Sequence, residues 1–178
     1  MTTVTPLARH VLDTLRPIPN YPKPGIIFQD ITPVLRDGPL FRTVVEAMAE
    51  PFRDLEITHV VGIEARGFIL GGAVATSLHA GFVPARKPGK LPWERLAESY
   101  ELEYGKDALE CHRDGMPAPA RALVVDDVLA TGGTARAAGE LARKLGAELV
   151  GWTFLLEIAG LGGLERLQGG LTHVVARR

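Results

Sequence analysis

Apolar positions recur along this chain at two periods, one helical and one extended. Pro6 to Leu15 puts Leu7, Val11 and Leu15 on one stripe and predicts a short helix. Pro39 to Phe52 repeats the pattern with Leu40, Val44, Met48 and Phe52, behind Asp37 and Gly38 and with Pro39 near the first helical position. Between them, Arg16 to Gly25 holds four prolines and reads as a stiff extended segment, followed by the apolar patch Ile26-Ile27-Phe28. Thr58 to Ile63 reads as a core strand, Phe68 to Leu78 as a helix and Gly81 to Ala85 as a strand. Ser99 to Tyr104 alternates like a strand, and Ala108 to His112 is placed to pair with it around Gly105. Ala122 to Val125 is an unbroken apolar run, as expected of a parallel strand buried on both faces, and a helix capped by Thr134 follows, with Ala135, Ala138, Leu141 and Leu145 favouring it or packing one face. Trp152 to Leu156 is a further strand, Leu161 to Leu167 a short helix, and Thr172 to Ala176 a last, peripheral strand. Strands alternating with helices predict an α/β fold: one domain over residues 1–178, with a mostly parallel twisted sheet flanked by helices.

Composition adds mainly exclusions. The 178 residues are 46% hydrophobic and 23% charged, an ordinary globular mix. A formal net charge of -1 gives no reason to expect nucleic acid or an anionic membrane as partner, so any anion site must come from local focusing. The single cysteine, Cys111, excludes an intramolecular disulfide and fits a reducing compartment. The N-terminus shows no basic stretch followed by a long apolar core. Gly67 to Ala85 carries no Asp, Glu, Lys or Arg, but its His79, Pro84 and four glycines divide it into helix and strand rather than a membrane span. The five histidines fall in no metal-ligand spacing, and no metal ligand is assigned to the chain.

Chemistry concentrates after two of the strands. Asp126 and Asp127 follow the Ala122–Val125 run, and the small-residue turn Ala130-Thr131-Gly132-Gly133-Thr134 leads into a helix. Two glycines let the backbone approach a ligand closely, and free N–H groups at a helix start, with the helix dipole, hold a phosphate without a lysine. Thr131 and Thr134 add hydroxyl donors. Two carboxylates do not suit that phosphate; they suit sugar hydroxyls or a ligand-borne Mg²⁺. The spacing therefore points to a phosphorylated sugar. A second strand–turn–helix, Glu64-Ala65-Arg66-Gly67, offers backbone amides plus an arginine fork, the donor set a diphosphate requires. The basic, breaker-rich Arg86 to Glu94 reads as a mobile lid whose cations, Arg86, Lys87 and Lys90, meet phosphate oxygens. Phe28 or Ile27 offers a flat or apolar wall for an aromatic base. Both turns follow strands, so both belong at the carboxyl edge of the sheet, where α/β folds bind ligands.

VVDDVLATGGT closely resembles the 5-phosphoribosyl 1-diphosphate (PRPP) motif of type I phosphoribosyltransferases, in the form found in adenine phosphoribosyltransferases. EARGF resembles the family's diphosphate loop, PGIIFQDIT its N-terminal segment over the purine, and RKPGKLP with SYELEYG its flexible loop. The resemblance covers nearly the whole chain. It implies a purine-salvage transfer of phosphoribose from PRPP to adenine, giving AMP and diphosphate, dependent on Mg²⁺ carried mainly by PRPP oxygens and water, in a cytoplasmic homodimer. It implies a hood over the base at about residues 1–35, a lid at about 86–112, and a non-proline peptide of unusual conformation in the diphosphate loop. By the same resemblance the 5′-phosphate falls to Ala130, Thr131, Gly132, Gly133 and Thr134, the ribose to Asp126 and Asp127, and the diphosphate to Ala65, Arg66, Gly67, Arg86, Lys87, Lys90 and Tyr104. Ile26, Ile27, Phe28 and Gln29 fall to adenine, and Glu103 to catalysis. Alternation alone makes Glu103 a solvent-facing strand residue, with Glu101 on the same face as its competitor. Gln29 departs from the arginine that many members carry there. Three alternatives stand beside this reading: a transferase for hypoxanthine, guanine or xanthine, which SYELEYG argues against; a non-catalytic PRPP or nucleotide sensor; and a plain scaffold, which leaves two phosphate turns without a purpose.

Overall fold

The computed structural model describes residues 4–102 and 105–178. Helix α1 (Pro6–Thr14) opens the chain, capped by the Thr5 hydroxyl, which accepts from the Ala8 amide at 3.1 Å. Strands β1 (Arg16–Pro19) and β2 (Ile27–Asp30) form an antiparallel hairpin, so the proline-rich stretch is paired as well as extended. Arg16 ties the two ends of this hairpin by an ion pair to Asp30 at 2.7 Å. The Thr32 amide, then the Thr32 hydroxyl and Arg16, hold the Asp30 carboxyl below its ordinary value against its partial burial. Helix α2 (Thr32–Arg36) was not expected; five residues are too few to show a helical period. Helix α3 (Gly38–Ala49) starts on an Asp37 cap and ends in a 3-10 turn, Glu50–Phe52.

The remaining elements build the sheet. They are β3 (His59–Ile63), α4 (Arg66–Ser77), β4 (Gly81–Ala85), the hairpin β5 (Arg95–Leu102) and β6 (Gly105–His112), β7 (Arg121–Leu129), α5 (Gly133–Lys144), β8 (Glu148–Glu157) and β9 (Leu171–Arg177). The segment expected as a short helix at Leu161–Leu167 narrows to a 3-10 turn, Leu164–Arg166. The five-stranded sheet runs in the order β4-β3-β7-β8-β9, every neighbouring pair parallel, which bears out the expected α/β architecture and leaves β9 at an edge.

Alternate residues of each central strand feed opposite cores. Val60, Leu123, Val125 and Leu155 pack toward α1, α3 and α4, while Val61, Val124, Trp152 and Phe154 pack toward α5 and the β5–β6 hairpin. Both faces are covered, so these strands read as continuous apolar runs in sequence. Trp152, Phe52 and Phe154 are fully buried, each contributing about 1.5–3 kcal/mol through area removed from water. Gly139 of α5 has no room for a Cβ, which would stand 2.9 Å from Leu149, so the helix lies close on the sheet. No helix among the described residues is long and apolar enough to cross a membrane.

Cys111 is fully buried in the α5-side core, and burial pushes its thiol from an ordinary 9.0 up to about 12. The folded chain therefore keeps a proton that the unfolded chain releases. This contribution to stability is complete below pH 9.0 and is lost as pH rises toward about 12. We expect iodoacetamide at about pH 8 to leave the native thiol unmodified and to alkylate it once urea unfolds the chain. Rapid labelling of the native protein, read by mass spectrometry, would contradict this burial.

Candidate active site

The strand order contains one reversal. From β3 the chain steps outward to β4, then returns past β3 to place β7 on its other side. The carboxyl ends of β3 and β7 thus flank the switch point, where open α/β sheets form their ligand crevice. The turn Glu64-Ala65 leaves β3 there, with its peptide bond cis, so the non-proline peptide of unusual conformation is present. The turn Ala130–Gly132 leaves β7 there and leads into α5.

Two adjoining depressions occupy this edge. The larger, about 650 Å³, is walled on one side by Ile26, Ile27, Phe28 and Gln29, and on the other by Ala65, Arg66, Asp126 and Asp127. The smaller, about 90 Å³, is formed by Thr131, Gly132, Gly133 and their neighbours. Asp126, Val128, Ala130 and Thr134 line both, so the two spaces adjoin at the floor between the two turns. A ligand with a charged group at each end can therefore reach both turns at once.

The aspartates are not beyond the strand, as the sequence suggested, but inside it, because β7 continues to Leu129. Strand alternation then separates them. Asp127 meets Arg66 in an ion pair whose carboxylate is nearly buried, at 7% side-chain exposure, while the guanidinium keeps 38%. Asp126 turns toward α4: a Cβ on Gly67 would stand 2.7 Å from its Oδ1, so only glycine lets that helix start so near the acid. Burial, and next the neighbouring Asp127 charge, push the Asp126 carboxyl well above its usual range, although its Oδ1 accepts from the Asp127 amide at 2.9 Å. The two adjacent acids are thus chemically different: one paired with a cation, one biased toward its protonated form.

Arg66 is also the roof of the larger space. Its guanidinium lies 5.0 Å from the centre of the Phe28 ring, and Tyr21 meets Phe28 edge-on at 5.2 Å. A planar, cation-bearing group facing an aromatic ring is a surface suited to a flat heterocycle.

The Ala130–Gly133 turn is fixed by backbone contacts. Gly132 stands at φ 80, and a Cβ there would be 2.6 Å from the Gly163 carbonyl oxygen. Gly163 in turn crowds the Ala130 carbonyl at 2.3 Å from its own would-be Cβ. Thr134 is not the cap of α5. Gly132 holds that position and no side chain caps the helix, so its first N–H groups are not taken by a capping side chain.

The expected lid cations lie apart from these linings. Arg86 pairs with Glu64 at 2.8 Å and its Nη1 donates to the Lys90 carbonyl at 3.2 Å. Lys87 donates to Tyr100 at 2.7 Å and forms an ion pair with Asp107; these bonds outweigh the burial that pulls its pKa down, leaving it raised. Lys90 is exposed. Glu103 and Tyr104 lie outside the described residues. Among the described residues no group of three or more His, Cys, Asp or Glu could hold a metal ion.

Sequence reasoning missed Ile158, Leu161 and Arg178, all of which line the larger space. The signal was present: Ile158 follows the carboxyl end of β8 and Arg178 that of β9, the edge on which the two turns also lie.

Comparison with known proteins agrees with this geometry. Residues 32–163 match the phosphoribosyl transferase domain family. The adenine phosphoribosyltransferase of Myxococcus xanthus is 56% identical over 165 residues, covering 93% of this chain and 90% of that protein. The one from Thermobifida fusca is 55% identical over 153 residues, covering 86% and 87%. The crystal structure of adenine phosphoribosyltransferase from Rhodothermus marinus superimposes with a TM-score of 0.93 at 51% identity, covering 97% of this chain and 98% of that one. The Saccharomyces cerevisiae enzyme, complexed with an imino-altritol 1,6-bisphosphate and adenine, gives 0.88 at 39% identity, covering 95% and 98%. A glycine-rich turn and an arginine turn side by side at a parallel sheet's switch point, together with these relatives, show that the chain belongs to the phosphoribosyltransferase family and, within it, groups with the adenine phosphoribosyltransferases.

Proposed function

We propose that this transferase moves the phosphoribosyl group of PRPP to adenine, releasing diphosphate and AMP, as a purine-salvage reaction. The observation that carries the reading is the shared floor between the two turns, Asp126 to Thr134 on one side and Ala65-Arg66 on the other. A sugar bearing a phosphate at C5 and a diphosphate at C1 has charges at the two ends that such a floor would receive.

On this reading the α5 start and the Thr131 and Thr134 hydroxyls hold the 5′-phosphate. Asp127 and Asp126 orient the ribose hydroxyls, and Arg66 with the amides of Ala65 and Gly67 receives the diphosphate. The purine lies against Ile26, Ile27 and Phe28 under the β1–β2 hairpin, which acts as the hood. C1′ passes through an oxocarbenium-like state as the diphosphate leaves and a ring nitrogen attacks. Positioning and charge stabilisation do most of the work. Apolar walls at Ile158 and Leu161 help exclude water that would otherwise intercept C1′.

Mg²⁺ fits the donor set only as a substrate-borne ion. Among the described residues no group of three or more His, Cys, Asp or Glu could hold the ion, and Asp127 is held by Arg66, so the two acids form no preformed cage. Carried on PRPP oxygens and water, Mg²⁺ would neutralise charge developing on the leaving diphosphate. The Arg86–Lys90 segment and the β5–β6 hairpin are read as the lid, with Arg86 and Lys87 exchanging internal partners for phosphate oxygens on closure, Lys90 adding a further cation, Glu103 serving catalysis and Tyr104 the diphosphate. A cytoplasmic homodimer completes the proposal.

A diphosphate-release assay with adenine, PRPP and Mg²⁺ tests the reaction; no release with adenine, against release with hypoxanthine or guanine, would move the reading to another purine. Asp127→Asn is expected to weaken PRPP binding about tenfold by losing charge-assisted bonds to sugar hydroxyls. Unchanged affinity by titration calorimetry would remove the ribose assignment.

A further inference from the structure

The Arg86–Lys90 segment is tied down along its main chain. Arg86 and Glu110 exchange backbone hydrogen bonds at 2.9 and 2.7 Å, and the Gly89 amide donates to the Glu110 carboxylate at 3.0 Å. The Lys87 amide donates to Glu64 Oε1 at 3.1 Å. Glu64 lines the larger cavity, so the root of Lys87 stands one hydrogen bond from the cavity wall. Its side chain nevertheless lines neither depression. With the main chain held, the ammonium on its flexible four-carbon stem is the part that can change partners.

That ammonium is seated on a cross-strand pair. Tyr100 of β5 and Asp107 of β6 lie opposite each other in register. Lys87 Nζ donates to the Tyr100 hydroxyl at 2.7 Å and forms its ion pair with Asp107 Oδ2. The hydroxyl donates to the same carboxylate oxygen at 3.2 Å. Tyr100 is 3% exposed and belongs to the α5-side core, so the seat is built on packed structure. Asp107 Oδ1 accepts from the Ala108 amide at 2.8 Å, which turns Oδ2 to the lysine. Burial raises the Asp107 pKa, but the bonds from Lys87 and the Ala108 amide outweigh it and hold the carboxyl below its ordinary value. The pair is therefore ionised at neutral pH, and two of the ammonium's three donors are taken.

We propose that the Tyr100–Asp107 pair is an autoinhibitory dock: it holds Lys87 away from the diphosphate subsite, and a diphosphate-bearing ligand must draw the ammonium out of it in order to bind fully. The inference rests on the PRPP-transfer reading above and adds a regulation to that site. A ligand with a diphosphate competes with the dock; one with only a 5′-phosphate does not. The apparent PRPP affinity is then the intrinsic affinity reduced to the fraction of molecules whose Lys87 is undocked.

Titration calorimetry with PRPP and with AMP on Tyr100→Phe, Asp107→Asn and Lys87→Met tests it. Tyr100→Phe keeps the buried ring, changes no charge and removes one bond, and should tighten PRPP binding about threefold. Asp107→Asn replaces the ionic partner with a neutral one and should tighten it about tenfold. AMP affinity should stay within about twofold in both. Lys87→Met should weaken PRPP binding, and adding Asp107→Asn to it should bring no gain, because the dock acts only through this lysine. A gain that persists in the Lys87→Met background belongs to the long-range field of the carboxylate and overturns the inference. Unchanged or weaker PRPP binding in Tyr100→Phe and Asp107→Asn also overturns it and makes the pair a support for Lys87 instead. Should Asp107→Asn not fold, Tyr100→Phe with and without Lys87→Met decides the matter. Wild-type protein that binds no PRPP defeats the functional reading itself; PRPP-binding wild type with silent variants defeats only this inference.

Discussion

Arg66→Ala is expected to lower kcat/KM by about a hundred- to a thousandfold, the largest single-residue effect in the site. Three losses combine. The diphosphate loses a planar donor fork, worth about 1.5–3 kcal/mol for charged hydrogen bonds. The base subsite loses the guanidinium that stands 5.0 Å from the Phe28 ring, worth about 0.5–1 kcal/mol at a partly exposed site. Asp127, 5% exposed, is left without its cation next to a second acid that already resists ionisation. Its charge is then free to repel the diphosphate. Calorimetry with PRPP should show most of the loss as affinity, with the remainder in kcat. Arg66→Lys keeps a point charge but not the fork and should fall between. A variant within threefold of wild type would remove Arg66 from the diphosphate assignment and return it to a structural partner of Asp127.

Gly132→Ala should be the second most damaging change, and through the backbone. At φ 80 an alanine is strained by about 1 kcal/mol, and its Cβ would stand 2.6 Å from the Gly163 carbonyl oxygen, which belongs to backbone and cannot simply rotate away. The turn must shift, and with it the N–H groups aimed at the 5′-phosphate. PRPP affinity is expected to fall about a hundredfold, with a stability loss of about 1–3 kcal/mol. Gly146→Ala separates the two effects. Gly146 stands at φ 89 after α5 with nothing within 4 Å of a new Cβ, so it carries the strain without the collision. It should lower the melting temperature by a few degrees and leave PRPP titration unchanged. Equal PRPP affinity in both variants would show that the close approach to Gly163 does not shape the phosphate turn.

These two residues illustrate different kinds of legibility. The Gly132-Gly133 turn was readable because a tight turn into a helix leaves a local mark: small residues, then a helix-forming run. Arg66 was readable only as a donor after a strand. Its pairing with Asp127, 61 positions away, and its place over Phe28 depend on β3 and β7 being neighbours, which no local pattern encodes. The same holds for Gln29, which a window of sequence presents as one polar residue after an apolar patch, and which folding joins to Arg178 across 149 positions.

Local chemistry, then, was decided by the sequence alone. Periodicity gave the alternation of strands and helices, because burial on one stripe or two faces must appear as spacing of apolar residues. The two turns followed, because glycine-rich strand–helix junctions can be recognised without knowing what surrounds them. Element ends were less well marked: β7 runs on through both aspartates, since a strand bordered by the switch-point crevice stays paired with β8 through polar positions. Tertiary structure alone decided the order β4-β3-β7-β8-β9, and with it the crevice, the unlike surroundings of Asp126 and Asp127, and the arrival of Ile158, Leu161 and Arg178 at the wall of the larger cavity. The reason is physical: backbone propensity and amphipathic period act over a few residues, whereas a site is made by contacts between strand ends that are distant in the chain and become neighbours only when both faces of the sheet are covered.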